Sequence, residues 1–445
     1  MRAGDTEASG IYRLLTRYVS IEPDEVGAVL WSALYFFSLL CGYYILRPMR
    51  EEMGIAGGIE NLDWMFTGTF VAMLAAVPLF GWAAARYRRP RLLPAVYTFF
   101  IANIIGFYAL FVSDVTHAYV ARAFFIWVSV FNLFVVSVFW SFMTDVYSNQ
   151  QARRLFGFIA AGGTLGALTG PALTAALVGR LGTANLLLLS AGFLAIALLC
   201  ISRILRWVRR RPVSAADTGG AGAKNVDPDN ALGGNIFAGI PLVIRSPYLL
   251  GICALILLYT TLATFLYFQQ AEIVRDSFAD PAARTSVFAG MDFATNLLTV
   301  LAQVFLTARI VRRFGIAVTL ALIPVGLAAG FLILSLAPVL SVLVVLQVLR
   351  RAGNFSIMKP AREMLYVVLG REEKYKAKNF IDTVVYRGGD AVSAWAYSGL
   401  QALGLTLSAI AFLAVPLAAL WAWISYRLGS ENQAIVRRRA DHSAK

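Results

Sequence analysis

Arg209 to Gly234 reads RRRPVSAADTGGAGAKNVDPDNALGG, a polar stretch rich in Gly, Ala and Asp that separates two series of apolar runs. A segment of this composition behaves as a flexible linker. Its GAGAK, Gly220 to Lys224, is not a phosphate-binding loop, because the spacing G-x-x-x-x-G-K-[ST] is absent. On either side the apolar runs reach about 20 residues, the length that crosses a bilayer. Six fall near 27–47, 62–84, 92–113, 118–144, 155–178 and 183–205; six more fall near 248–268, 285–308, 315–335, 338–362, 380–400 and 404–426. The sequence therefore predicts an all-α membrane protein of twelve transmembrane helices in two six-helix bundles, over 27–205 and 248–426. An N-terminal segment over 1–26, the linker over 206–247 and a basic tail over 427–445 complete the chain.

Composition agrees with that class. Of 445 residues, 59% are hydrophobic and 14% charged, against about 25% charged in soluble domains. Cys41, Cys200 and Cys253 all lie in apolar runs, where they read as small hydrophobes, and the only histidines are His117 and His442. No metal site and no cofactor are expected. The first apolar run is too long for a cleavable signal. Before it, IYRLLTRYVSI (Ile11–Ile21) puts Ile11, Leu14, Leu15, Tyr18 and Val19 on one helical face. That is the pattern of a cytoplasmic interfacial helix, or of an ordinary docked one.

The net charge of +14 has a topological origin. With the termini and the loops after even-numbered spans in the cytoplasm, that side collects 28 of the 39 Lys and Arg, against four on the other. This is the positive-inside bias. It predicts both termini in the cytoplasm and removes nucleic acid as a partner.

The two halves also repeat. GWAAARYRRPR (Gly81–Arg91) is answered by TARIVRRFG (Thr307–Gly315), and QQARRLF (Gln150–Phe156) by EKYKAKNF (Glu373–Phe380). Arg312 follows Arg86 by 226 residues, and Phe380 follows Phe156 by 224; the latter shift also lays Tyr43-Tyr44 on Tyr267-Phe268. Two pseudo-symmetric six-helix repeats resemble the major facilitator fold. Gly81–Arg91 resembles that superfamily's G-x-x-x-D-R-x-G-R-R loop, and GALTGPALTA (Gly166–Ala175) resembles its antiporter pattern. Gly162, Gly166 and Gly170 equally form a small-residue face for close helix packing.

A charge at mid-bilayer costs roughly 2.5–3.5 kcal/mol, so internal charges need partners or water. YYILRPMREEMG (Tyr43–Gly54) ends the first span with Arg47, Arg50, Glu51 and Glu52. Arg47 is expected to face inward beside Tyr43, helped by Pro48, with Arg50, Glu51 and Glu52 on an outer rim. LQVLRRAGNFSIMKPARE (Leu346–Glu363) carries Arg350, Arg351, Lys359 and Arg362 in span 10. At 100° per residue, Gln347, Arg351, Asn354, Phe355, Arg362 and Tyr366 share one face, Lys359 borders it and Arg350 points elsewhere. Span 11 contains Asp382, Arg387 and Asp390, the last two spaced for pairing; Asp292 lies in span 8. These carboxylates are candidate partners of the arginines, or proton carriers. Asp145, Arg153 and Arg154 suit either a cytoplasmic gate or a helix-end pair. Arg50, Arg86 and Arg312 join them as candidate gating residues. The internal cations outnumber the internal acids, which favours an anionic guest, and arginine forks suit phosphate or carboxylate.

Three of these segments resemble the ATP/ADP translocases of plastids and intracellular bacteria, the nucleotide transporter family. YYILRPMREEMG is similar to their first-helix I-L-R-x-x-K-D, and VFWSFMTDVYS (Val138–Ser148) followed by ARRLFG to their F-W-x-F-x-N-E segment. KAKNFIDTVVYRGGD (Lys376–Asp390) is similar to their K-x-K-x-x-I-D-V-x-x-x-R-x-G-K. The resemblance implies nucleotide exchange by alternating access. It puts Arg47 or Arg50 at the first basic position and Asp145 at the acidic one. The final lysine is replaced by Asp390, with Arg387 one turn earlier as a substitute.

The expected function is secondary transport of an anionic, phosphorylated solute, with ATP/ADP the leading candidate. Arg47, Arg351 and Arg387 would bind it beside Tyr43 and Asn354, supported by Arg350 and Lys359. Asp292 and Asp390 would pair with the arginines in the empty site. The expected setting is the bacterial inner membrane, with a monomer acting on a small molecule in the bilayer. One alternative is a proton-coupled permease or exporter using Asp292, Asp382 or Asp390. The other is a receptor or assembly factor without transport. No protease or hydrolase motif is present, so an enzyme is not expected.

Overall fold

A computed structural model describes residues 21–86, 89–113, 118–210 and 240–443. The expected interfacial helix lies outside them up to residue 20, as does most of the expected linker, 211–239. Among the described residues there is helix and no strand.

Among the described residues nine helices are long and apolar enough to cross a membrane. Two of them turn back on themselves. Asn149–Arg210 reverses at Gly182 and the segment after Ala308 at Gly315, with φ of 76° and 72°. Glycine meets no steric penalty in that left-handed region, so each reversal needs only one residue. Counting both reversals and the charged segment 371–402 gives the twelve spans. They are α1 (Val26–Ala56), α2 (Leu62–Arg86), α3 (Arg89–Val112), α4 (Ala118–Val146), α5 (149–181) and α6 (183–210). After a short helix, Ile240–Arg245, come α7 (Pro247–Ser277), α8 (281–314), α9 (316–336), α10 (340–365), α11 (371–402) and α12 (Leu407–Ser443). The tail expected from residue 427 is thus helical as far as Ser443.

Local signals set these boundaries. Ser246 caps α7 by accepting from the Leu249 N–H, and Pro247 occupies the first turn, where a missing N–H costs nothing. Pro48, Pro78, Pro94, Pro171, Pro324 and Pro416 sit inside helices. Membrane helices tolerate them because neighbours re-satisfy the freed carbonyls.

Among the described residues three turns are widened into π-helix: Gln303–Thr307 in α8, Asn354–Met358 in α10 and Ile381–Val385 in α11. All lie in the second half of the sequence. A π turn takes one extra residue, so the helical wheel drawn for span 10 holds only as far as Gly353.

Two compact units form, and they do not follow the sequence halves. The first is 1–53, 75–214 and 280–293; the second is 54–74, 215–279 and 294–445. The start of α8 joins the first because Arg284 and Asp292 reach α1. The start of α2 joins the second because Trp64 and Phe66 pack on Trp395 and Tyr267.

The first unit is cored by aromatics on α1, α3 and α4, with Tyr35 donating to Tyr97 at 2.5 Å and Phe36 stacked on Phe139 at 4.2 Å. There α5 lies directly on α1. A Cβ on Gly162 would strike the Ala33 carbonyl, and one on Gly166 the Phe37 carbonyl. The small-residue face is therefore a packing face. In the second unit Tyr248 donates to the Leu365 carbonyl at 2.9 Å and accepts from Asn432 at 3.0 Å, tying α7, α10 and α12.

Candidate functional site

In the first unit the end of α1 carries a ladder of charge. The Arg47 Nε stands 3.7 Å from Asp292 Oδ2, and its guanidinium lies 5.7 Å from the Tyr44 ring centre. Asp292 is buried. One turn on, Arg50 donates to Ser129 Oγ at 2.9 Å and to the Phe125 carbonyl at 3.2 Å, and lies over the Phe125 ring at 3.7 Å. It is therefore docked on α4, not displayed on a rim. Glu52 is not on a rim either. It is fully buried and accepts from Arg284 Nε and Nη2, both at 2.7 Å. The rim expectation failed because both residues find partners on neighbouring helices, which a single-helix reading cannot see.

In the second unit the polar groups gather on α7, α10 and α11. Arg350 donates from Nε and Nη2 to one oxygen, Gln347 Oε1, at 3.1 and 2.8 Å. Gln347 in turn donates to Gln270 Oε1 at 2.7 Å. The Tyr259 hydroxyl lies within hydrogen-bond reach of the same guanidinium, and Arg351 brings a second positive charge near it. Arg350 does not point away, as the wheel predicted, because its long side chain bends back one turn onto Gln347. Among the described residues no carboxylate comes within 4 Å of it.

Its neighbours are treated differently. Arg387 stands 3.5 Å from Asp390 Oδ2 and 5.4 Å from the Tyr386 ring centre. Arg351 is partly buried, Asn354 buried in the π turn and Lys359 exposed. Asp382 lies 3.9 Å from Arg362, while Lys378 binds Glu363 at 2.5 Å. Asp292 and Asp390 thus each sit beside an arginine, Arg47 and Arg387.

Among the other candidate gating residues, Arg154 is tied down. It pairs with Glu25 at 3.0 Å and Glu22 at 3.4 Å, and Gln151 donates to the same fully buried Glu25 at 2.6 Å. Arg86, Asp145, Arg153 and Arg312 are exposed. Among the described residues no three His, Cys, Asp or Glu stand close enough to hold a metal ion.

Sequence reasoning passed over Gln270, Arg284 and Glu25. Gln269-Gln270 inside an apolar run was a readable signal, since amides in a membrane helix need partners.

The comparisons with known proteins bear on this arrangement. Residues 26–368 match the model of the Major Facilitator Superfamily. The chain belongs to the major facilitator superfamily. Its sequence is 24% identical over 322 residues to the ADP,ATP carrier protein 1 of Chlamydia muridarum, covering 65% of this chain and 60% of that relative's length. It is 22% identical over 506 aligned residues to the ADP,ATP carrier protein 2 of Chlamydia pneumoniae, covering 96% and 92%. These relatives agree with the translocase resemblance of the α1, α4 and α11 segments.

Solved structures share the fold. The nucleoside transporter NupG aligns with a TM-score of 0.61 at 14% identity, covering 93% of this chain and 99% of that one. A D-xylose-proton symporter aligns at 0.61 and 13%, covering 92% and 98%. As a major facilitator the protein is a multi-pass membrane transporter and not an enzyme.

Proposed function

We propose that this transporter moves an anionic, phosphorylated solute by alternating access, with exchange of nucleotides such as ATP and ADP its leading assignment. The observation that carries this reading is Arg350. A cation in a membrane helix costs roughly 2.5–3.5 kcal/mol on insertion scales, and the usual remedy is a carboxylate. Arg350 has instead one amide oxygen and a tyrosine hydroxyl, so its charge is left for a guest. Arg47 and Arg387 stand beside Asp292 and Asp390; these acids hold them between transport events and yield them to phosphate. Arg351 adds a further fork, and Tyr43, Asn354 and Lys359 complete the proposed set. The names of the Chlamydia carriers support the nucleotide. The basic-residue bias supports a cytoplasmic position for both termini in a bacterial inner membrane, and a monomer suffices for the mechanism.

The test is uptake of labelled ATP into proteoliposomes loaded with ADP or left empty. Uptake into loaded vesicles alone, reduced at least about tenfold in Arg350→Gln, is expected. Normal transport by folded Arg350→Gln would remove the charge argument. Uptake driven by a pH gradient without internal ADP would instead favour a proton-coupled permease using Asp292, Asp382 or Asp390. Tight ATP binding without flux would favour a receptor.

A further inference from the structure

We infer that Gln347, held by Gln270, is a positioning residue that fixes Arg350 and, by being neutral, sets the site's selectivity for anionic charge. This rests on the reading of an anionic substrate given above. A guanidinium only donates, so the Gln347 atom facing Nε and Nη2 of Arg350 must be its oxygen. Its nitrogen then faces Gln270, whose facing atom must be an oxygen too. The chain of bonds at 2.7 to 3.1 Å is thus directed outward from the arginine, with no freedom to flip.

Both amides are buried, Gln347 at 2% and Gln270 at 4% exposure. Between them they do two separate things. One oxygen taking two donors locks the Nε–Nη2 edge of the guanidinium and leaves the Nη1 side for other acceptors. The same oxygen carries no net charge, so the fork is oriented without being neutralised. A carboxylate here would orient it equally well and cancel its attraction for phosphate. Arg47, Arg284 and Arg387 do have carboxylates beside them; Arg350 alone of these four is held by an amide.

Gln347→Glu isolates the charge, because it exchanges one nitrogen for one oxygen. Gln270 can turn over and donate its own amide, so every bond survives. The measurement is equilibrium binding of ATP, ADP and AMP to the full-length protein in lipid nanodiscs, with thermal unfolding of each variant alongside. Q347E is expected to unfold no earlier than wild type and to weaken ATP binding by roughly tenfold or more, ADP less and AMP least, since the added repulsion scales with ligand charge. Gln347→Met, which keeps the arginine's charge but drops its anchor, is expected to weaken all three by a similar few-fold factor. It also keeps the test open should Q347E fail to fold. In the R350Q background the two substitutions at 347 should have no further effect.

Wild-type affinities in Q347E would overturn the inference while leaving the anion reading intact, as would an equal loss for all three ligands. Unchanged binding by Q347M would overturn the positioning half. A wild-type protein that binds none of the three overturns both this inference and the reading on which it rests.

Discussion

The end of α1 and the middle of α10 pose the same problem, arginine in a membrane helix, and the molecule answers it in two ways. In the first unit Arg47, Arg50 and Arg284 all meet carboxylates, Arg50 also meets a hydroxyl, a carbonyl and a ring, and the helices behind them are packed backbone to backbone at glycine. In the second unit Arg350 is held, among the described residues, by an amide oxygen and by no carboxylate, and three turns of that unit's helices are widened into π-helix. Such turns concentrate at functional sites. The contrast separates a unit built for rigidity from one that keeps charge and adaptability in reserve. Three experiments test it.

The largest effect is expected where neutralisation is most complete. Glu52→Gln keeps the shape but removes the buried carboxylate that Arg284 grips through two bonds. Removing one partner of a buried ion pair costs about 3–5 kcal/mol, which should appear as a marked drop in the thermal midpoint of the purified protein. Adding Arg284→Gln should recover most of it, because the charge that lost its carboxylate goes too. Asp390→Asn in the second unit provides the comparison. Arg387 is 38% exposed, so water screens that pair and the cost should stay below about 1 kcal/mol. Equal losses in the two variants would erase the distinction.

Close packing gives the next effect. In Gly166→Val the new side chain meets the Phe37 carbonyl and the Cys41 amide. These are backbone atoms that cannot rotate aside. Overpacking of this kind costs about 1–3 kcal/mol, read as a lower thermal midpoint. Gly389→Ala in α11 is the gentler counterpart, since the new methyl meets the side chains of Thr260 and Leu257, which can turn away. A larger loss at Gly389 than at Gly166 would reverse the assignment of the rigid unit.

Much of this architecture was legible before the structure. Apolar run lengths gave the twelve spans, because bilayer thickness dictates them, whereas the two compact units exchange parts of α2 and α8 and do not follow the repeated halves. Of the two readings offered for the small-residue face of α5, close packing is the one that Gly162 and Gly166 display against α1. The ion pairs were half legible. Arg387 with Asp390 follows from helical spacing alone, whereas Arg47 with Asp292 and Glu52 with Arg284 join residues more than 200 positions apart. Nothing local encodes such pairs; they exist only once the helices have packed. The wheel failed at Arg350 because it tracks Cα directions and ignores the reach of a long side chain. Past Gly353 a π turn inserts a residue that no periodicity announces; Phe355 is exposed there, while Asn354, Arg362 and Tyr366 of the same expected face are buried.

The smallest effect concerns why those π turns persist. Where a helix widens, a carbonyl of the ordinary ladder loses its N–H partner, and a buried orphan carbonyl is costly. Here α8 supplies donors to α10: Thr307 Oγ1 donates to the Ser356 carbonyl at 2.9 Å, and Gln303 Nε2 reaches the Phe355 carbonyl at 3.4 Å. Both acceptors lie in the π turn Asn354–Met358, and both donors lie in the π turn of α8. The irregularity of α8 therefore sits where it serves that of α10. Thr307→Val preserves shape and removes the hydroxyl, so it should cost about 0.5–1.5 kcal/mol, the net worth of a hydrogen bond. The decisive readout is local. Amide hydrogen exchange should quicken at 354–359 while the first unit is unaffected. If exchange there does not change, α10 holds its π turn through its own packing, and the looseness of the second unit belongs to single helices, not to a pair that maintain it together.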